Sequence, residues 1–584
     1  MTLPNWDLSA LYQNEQDPQI NKDLNALSKK SQKFAEEYTG KLKNLTAVDL
    51  LKSIKAYEKI SEGLGRLQTF AYLHFVTQMT NQEASGFYQS IAEQVNDIYT
   101  NLLFFSLELS KLSDAHLAKL LKDNKLKKYA PYIRDLRVSK PYQKSAAIEQ
   151  VLHEKAQTSS SAWSRLFDET MAHLEFNYGS KKLSSAEIFD LLSSSNAATR
   201  KKAAQTIEKT LKENARIFAF ITNTLAKDKA VEDKIRDYPH SLKARNISNL
   251  IEDEVVESLV STVKENYKDL AHQYYKIKAK FFGVKKLNYW DRNAPLPGAK
   301  EQNISWANAK KIVLKAYKDF SPEMAEITEL FFKNNWLDVP PKKGKDAGAF
   351  SHPATTDTHP FIMLNYQGKQ RDVMTLAHEL GHGVHQYLAR KQGYLMADTP
   401  LTLAETASIF GEQLTFESLL TQAKTKEAKL ELLTSKIEDS LNTIVRQIAF
   451  HEFEVAVHQE RKKGEISIKR LGEIWYETQS ASLGPNIKLT KDYQYFWSYI
   501  PHFIHAPFYV YAYAFGNCLV NSLYMTYKQG LPNFEQKYLS ALSKGGTLHH
   551  KDLLAPFGLD ATQPQFWQAG LELPKSYIKE LSTL

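Results

Sequence analysis

Residues Thr375 to Ala389 read Thr-Leu-Ala-His-Glu-Leu-Gly-His-Gly-Val-His-Gln-Tyr-Leu-Ala, and no other stretch restricts this chain as strongly. His378, Glu379 and His382 form a His-Glu-x-x-His motif within a helical pattern. Residues i and i+4 of a helix share one face, about 6 Å apart along the axis. Two imidazoles so placed converge on one tetrahedral zinc, each at about 2.0–2.1 Å. Glu379 follows the first histidine directly. Its carboxylate therefore falls beside the open coordination position, where it can take a proton from a water. The motif predicts a zinc site of the peptidase type. The bland alternative is a helix that carries two histidines by accident, expected in about one chain per hundred of this length.

A catalytic zinc needs a third protein ligand. His385 lies on the same face, but about 10.5 Å from His378 along the axis with His382 between them. Three imidazoles strung along one straight helix do not meet easily, so His385 suits a place behind the ligands, or in the packing, better. Glu405 lies twenty-three residues beyond His382. Gly393 and Pro400 let the chain reverse, and the apolar neighbours Ala404, Ala407 and Phe410 argue for an inward face. The preferred set is His378, His382 and Glu405 around one Zn2+. Ligating histidines donate their other N–H to an acceptor, and Asp372, Glu412 and His385 are the candidates for that outer layer. The metzincin pattern fails, since it needs Gly at 385 and His at 388 where this chain has His385 and Leu388. His451-Glu452 with His458 has the wrong spacing and reads as a structural helix.

At 584 residues the chain exceeds one ordinary core. Gly is sparse, at 23 residues, while Leu, Ala, Lys and Glu abound, which favours helix. The net charge of +9 is not gathered into any basic tract, so nucleic acid is not an expected partner. A single cysteine, Cys518, excludes an intrachain disulfide and a Cys-based metal cluster. With no basic and apolar leader visible at the start, a cytoplasmic protein is expected.

Along the chain, helical periodicity runs from about 45 to 125, and Ser184-Ser185-Ala186-Glu187 is a loose capping pattern. Residues 196–232 give the clearest amphipathic helix, with Ala204, Ile207, Leu211, Ala215 and Phe218 on one face. Residues 337–372 have loop chemistry around a short apolar run, Phe361–Leu364, and predict a small β element just before the motif helix. Its edge could hold a peptide by backbone pairing. One long helical run is expected over 425–465.

Residues 493–527 carry no Asp, Glu, Lys or Arg. Prolines, histidines and tyrosines within them argue against a membrane span, leaving a buried helix or a set of donors beside the zinc. Tyr O–H or His N–H groups there could stabilise a tetrahedral oxyanion, and His502, Tyr509, Tyr511 and Tyr513 are the candidates.

These segments together resemble a known family. Trp6-Asp-Leu-Ser-Ala-Leu-Tyr12, Arg245-Asn-Ile-Ser-Asn249, Asp357-Thr-His-Pro360, Leu364-Asn-Tyr-Gln-Gly368, Asp372–His382, Glu405-Thr-Ala-Ser-Ile-Phe-Gly-Glu412, Pro501-His-Phe and Phe508-Tyr-Val-Tyr-Ala-Tyr513 are similar to oligoendopeptidase F, a relative of thimet oligopeptidase and neurolysin. The resemblance implies a mainly α, two-lobed multi-helix body with a deep central channel. An N-terminal lobe, residues 1–190, would roof the channel, and residues 191–584 would form the catalytic domain. It also implies His378, His382 and Glu405 as zinc ligands and Glu379 as base. The His502 and tyrosine region would make substrate and oxyanion contacts, with Tyr513 on the substrate. The expected function is hydrolysis of internal bonds in short unstructured peptides, with no membrane or nucleic-acid partner and monomer a possible state. A zinc carboxypeptidase of similar fold and a catalytically silent peptide binder are the rival expectations.

Overall fold

The computed structural model describes residues 3–297 and 303–584. Helices make up 70% of it and the sheets are small, as the low glycine content and the periodicity predict. By packing, the chain divides into two units, each assembled from three separate stretches. The first comprises Met1–Lys140, Glu301–Thr421 and Tyr527–Leu559; the second comprises Pro141–Lys300, Gln422–Thr526 and Asp560–Leu584. None of the five junctions between these stretches falls at residue 190.

The first unit shows why. Its N-terminal helices, Pro18–Tyr38, Ala47–Val76 and Gln82–Thr100, start where the side chains of Asp17, Thr46 and Asn81 accept otherwise unpaired backbone N–H groups. Their apolar faces meet in one core through Leu24, Ile54, Phe70 and Ile91, joined by Phe105 from the next helix, Leu103–Lys111. Ala354, Phe361 and Met396, from around the motif helix, belong to that same core. The N-terminal helices thus share their buried surface with the segment that carries the motif.

The predicted β element is a three-stranded sheet of Leu337–Asp338, Phe350–His352 and Phe361–Met363. The last of these is central, parallel to the first and antiparallel to the second. Ser351 is registered against Ile362. The connecting loop is pinned by the buried ammonium of Lys345, which donates to Asp338 Oδ1 at 2.6 Å, Leu364 O at 2.6 Å and Pro340 O at 3.0 Å. Such coordination is what a desolvated cation requires.

In the second unit, the amphipathic stretch forms the 40-residue helix Ala197–Arg236, with Ala204, Ile207, Leu211, Ala215 and Phe218 all buried. Ser184 and Glu187 make the reciprocal capping box. The single run expected over 425–465 is two helices, Lys426–Thr443 and Val445–Arg461, parted at Ile444, where φ is −100° and ψ is −69°. The stretch without charged residues contributes the helices His502–His505 and Tyr511–Lys528, and much of the latter is buried. Among the described residues, no helix is long and apolar enough to cross a membrane.

Candidate metal centre and active site

The motif lies in the helix Gln370–Ala389. Asp372 caps its start, accepting the backbone N–H groups of Gln367 at 2.7 Å and Lys369 at 3.0 Å. The carboxylate brought to the His378 ring is that of Glu412, whose Oε1 lies 2.6 Å from Nδ1. Asp372 therefore acts on the helix terminus, where a negative charge is favoured, and Glu412 acts on the imidazole. With Nδ1 engaged, Nε2 of His378 faces the site.

His378 and His382 stand with ring centroids 4.8 Å apart and planes at 81°. The chain after the helix turns at Gly393, with φ +90°, and returns through the short helix Leu401–Ala404. Glu405 follows. Its Oε2 lies 3.4 Å from His378 Nε2 and 3.5 Å from His382 Nε2. Ser408 Oγ donates to the same oxygen at 2.6 Å and fixes it. One donor atom from each of the three residues falls within 4.8 Å of the others. Tetrahedral zinc with bonds of about 2.05 Å separates its ligand atoms by about 3.3 Å. Two imidazoles and a carboxylate at these separations fit the ion in both chemistry and spacing.

The return is possible because residue 381 is glycine. A Cβ there would lie 2.4 Å from Ala407 O and 2.7 Å from Ser408 Cα. The helix Ser408–Gln422 crosses equally close at Gly411, where a Cβ would meet the Tyr317 hydroxyl at 2.2 Å. Tyr317 itself donates to Ala377 O at 2.5 Å, tying a third helix to the crossing. Neither glycine stood out in the sequence as a site determinant. Glycine inside a helical run is a visible signal of close approach, but the sequence does not name the neighbour.

Glu379 is buried beside the donors, 6% exposed. Burial pushes its carboxyl up to about 7; the His378 charge and a hydrogen bond from the Ser351 backbone pull it down, while Glu405 and Glu412 raise it further. Burial disfavours a charged His378 too, but the hydrogen bond and charge of Glu412, with Glu405 and Glu379, outweigh it and hold that ring up at about 9. Burial lowers His382. Ser351 is an edge-strand residue that sequence reading passed over. Its hydroxyl donates to Gln386 Oε1 at 2.7 Å, and its carbonyl accepts from Gln386 Nε2 at 3.1 Å. The edge strand is thereby tied to the motif helix one turn beyond His382.

His385 is buried, with Nε2 at 3.3 Å from Thr399 Oγ1, and it is not in the ligand group. It lines, with Tyr72, His352, Thr356, His382 and Gln386, a cavity of about 560 Å³ in the first unit, within the usual range for ligand sites.

The remaining candidates lie in the second unit. His502 Nε2 is 3.1 Å from Tyr513 Oη, and the Tyr509 ring stands 6.1 Å from His502 and 5.2 Å from Tyr513, so these three form one cluster. Tyr513 is 38% exposed. Tyr511 faces the other way. It is fully buried, and its hydroxyl donates to Asn246 Oδ1 at 2.8 Å and accepts from Asn249 Nδ2 at 2.9 Å. Residues two apart in one helix point to nearly opposite sides, and Tyr511 is spent on internal hydrogen bonds rather than offered to a ligand.

Comparison with known proteins agrees with this geometry. Residues 190–573 match the model of peptidase family M3, and residues 108–176 match that of oligopeptidase F. The oligopeptidase PepF of Bacillus subtilis is 27% identical over 99% of this chain and 87% of its own length. An oligoendopeptidase F homolog of Borreliella burgdorferi is 28% identical over 99% and 98%. A crystal structure described as a peptidase from Chlamydophila abortus superposes with a TM-score of 0.89 at 26% identity, covering 99% of this chain and 98% of that one. The oligoendopeptidase F structure from Enterococcus faecium gives 0.71 at 22% identity over 96% and 98%, a likeness of fold. With the family model matched over more than half its length, this chain belongs to peptidase family M3, in the oligoendopeptidase F group.

Proposed function

We propose that this peptidase is a zinc metalloendopeptidase that cuts internal bonds of short, unstructured peptides. The observation that carries the reading is the convergence of His378 Nε2, His382 Nε2 and Glu405 Oε2 at tetrahedral spacing, with the Glu379 carboxyl buried beside them. Held by these three residues, zinc supplies Lewis acidity toward water and the scissile carbonyl. Glu379 is the proton carrier. Burial raises the proton affinity of its carboxyl, so it can accept a proton from the attacking water and return it to the leaving amine. Glu412 holds the His378 ring in the tautomer that presents Nε2. Ser351 and Gln386 fix the edge strand against the motif helix and so keep Glu379 in place.

His502 and Tyr513, with Tyr509 against them, are assigned to the substrate and to the oxygen that becomes negative on attack. Tyr511 is left out of that set by its burial. A single cysteine fits a reducing compartment such as the cytoplasm. The test compares wild type with Glu379→Gln, each at one zinc per chain, against a pool of peptides and one folded protein, read by mass spectrometry. Internal cuts in peptides alone, lost in the variant, are expected. Release of terminal residues only, or full activity in Glu379→Gln, would refute the reading.

A further inference from the structure

We propose that Arg446, backed by Arg292, forms an anion subsite in the second unit that receives a carboxylate of the peptide substrate. The inference builds on the oligopeptidase reading above and adds the chemistry the substrate must carry.

Arg446 is the second residue of the helix Val445–Arg461 and is half-buried. Its one hydrogen bond among the described residues runs from Nη2 to Tyr499 Oη at 2.9 Å. Its Nε is enclosed without an acceptor, and the guanidinium lies 5.0 Å over the Phe450 ring. Arg292 lies in the same surroundings. Its charge and that of Arg446 both act on Tyr493, and its own Nε is enclosed without an acceptor. Among the described residues, neither guanidinium is within ion-pair distance of a carboxylate. The nearby acid Glu438 is committed elsewhere, to Lys278 Nζ and to Tyr274 Oη at 2.5 Å. Two cations are therefore set among phenols, which cannot neutralise them.

Withdrawing a guanidinium from water without a counter-charge is costly. A fork of N–H donors left without an acid is suited to an incoming carboxylate, which it can bind with two parallel hydrogen bonds. The position also suits the cluster assigned above to the substrate. Arg446 is close enough for its charge to act on His502, and His502 meets Tyr513 at 3.1 Å. A carboxylate on Arg446 would place the adjoining peptide along the His502, Tyr509 and Tyr513 cluster. That carboxylate can be the C-terminal one or an Asp or Glu side chain; both present the same group.

The test reads binding rather than turnover, so that it stands apart from the assignment of catalysis. Zinc-loaded Glu379→Gln protein and its Glu379→Gln/Arg446→Gln and Glu379→Gln/Arg446→Lys derivatives are titrated with fluorescent octapeptides. One is neutral and C-terminally amidated, one has a free C-terminus, and a set is amidated with one Glu at each position in turn. The expected result is that one carboxylate-bearing peptide binds roughly tenfold to a hundredfold tighter than the neutral amide. Arg446→Gln should remove that preference while leaving the neutral amide within about twofold, and Arg446→Lys should restore part of it. Preference for the free C-terminus alone identifies a terminal-carboxylate subsite; preference for Glu at one position identifies a side-chain subsite. The proposal is overturned if all peptides bind the parent equally, or if Arg446→Gln weakens all of them by the same factor, as a purely structural role would.

Discussion

Replacing Gly381 by Ala sets two physical effects against each other. Within a helix, Ala is favoured over Gly by about 1 kcal/mol, so local propensity alone predicts a more stable protein. The structure predicts the reverse. The new Cβ would lie 2.4 Å from Ala407 O and 2.7 Å from Ser408 Cα, both backbone atoms that cannot rotate away. Restoring an ordinary contact requires the 405–408 segment to retreat by about 0.8 Å, and overpacking of this kind costs about 1–3 kcal/mol. Net of the helical gain, metal-free Gly381→Ala should be destabilised by about 0–2 kcal/mol. The metal effect is larger, because Glu405 rides on the displaced segment and a metal site tolerates only about 0.2 Å in its ligand distances. Zinc affinity should fall by about tenfold to a hundredfold, a loss of about 1.4–2.7 kcal/mol. Competition with a chromophoric chelator measures that affinity, and calorimetry with and without chelator separates the two terms. A variant with wild-type zinc affinity and a raised Tm in chelator would refute the close-contact argument.

Other outcomes follow from the same geometry. Glu412→Gln removes the charge 2.6 Å from His378 Nδ1, and should weaken zinc binding by about tenfold to a hundredfold; an unchanged Kd by chelator competition would show that Glu412 does not support the ligand. Dialysis against chelator should abolish peptide cleavage and one equivalent of zinc should restore it, while activity that survives verified metal removal would exclude the metal site as the catalytic one. Lys345→Met leaves the buried Asp338 with only the longer, part-exposed contact to Lys342 at 3.5 Å and should cost about 2–4 kcal/mol by denaturant unfolding; a loss below about 1 kcal/mol would show that the loop does not depend on this contact. Glu454 supplies a pH test away from the metal. Its carboxyl is pushed up to about 8 by burial, against the Phe508 N–H and the charges of Arg245 and Lys229. A raised folded pKa means that its stabilising contribution is full below its ordinary 4.5 and is lost as pH rises through 8. Glu454→Gln should therefore match wild type at low pH after a constant offset and gain on it by about 3–5 kcal/mol by pH 9, whereas parallel unfolding curves would rule out the titration.

What the sequence made legible and what it hid divide along a physical line. Spacing within one helix is fixed by backbone geometry, so the alignment of His378 with His382 and the buried face from Ala204 to Phe218 could be read directly. Glu405 was within reach because a turn at Gly393 and an apolar flank restrict where its carboxylate can go. Tyr511 and Asp372 have partners that the sequence did not indicate, for one shared reason: residue type announces a capability, but the partner decides its use. A phenol pointing at Asn246 and Asn249 is part of the interior, and a carboxylate pointing at two backbone N–H groups is a helix cap. A single boundary along the chain, such as the one expected at 190, says nothing of units that are each gathered from separate stretches. Only the packing shows that Phe105 and Phe361 belong to one core although more than two hundred residues separate them. Contacts across shorter gaps, of some two dozen residues, likewise bring the segment after Glu405 up to Gly381 and Ser351 up to Glu379. The motif therefore identifies the chemistry, while long-range close packing, through a glycine that lets one backbone approach another, determines whether the donors reach bonding distance.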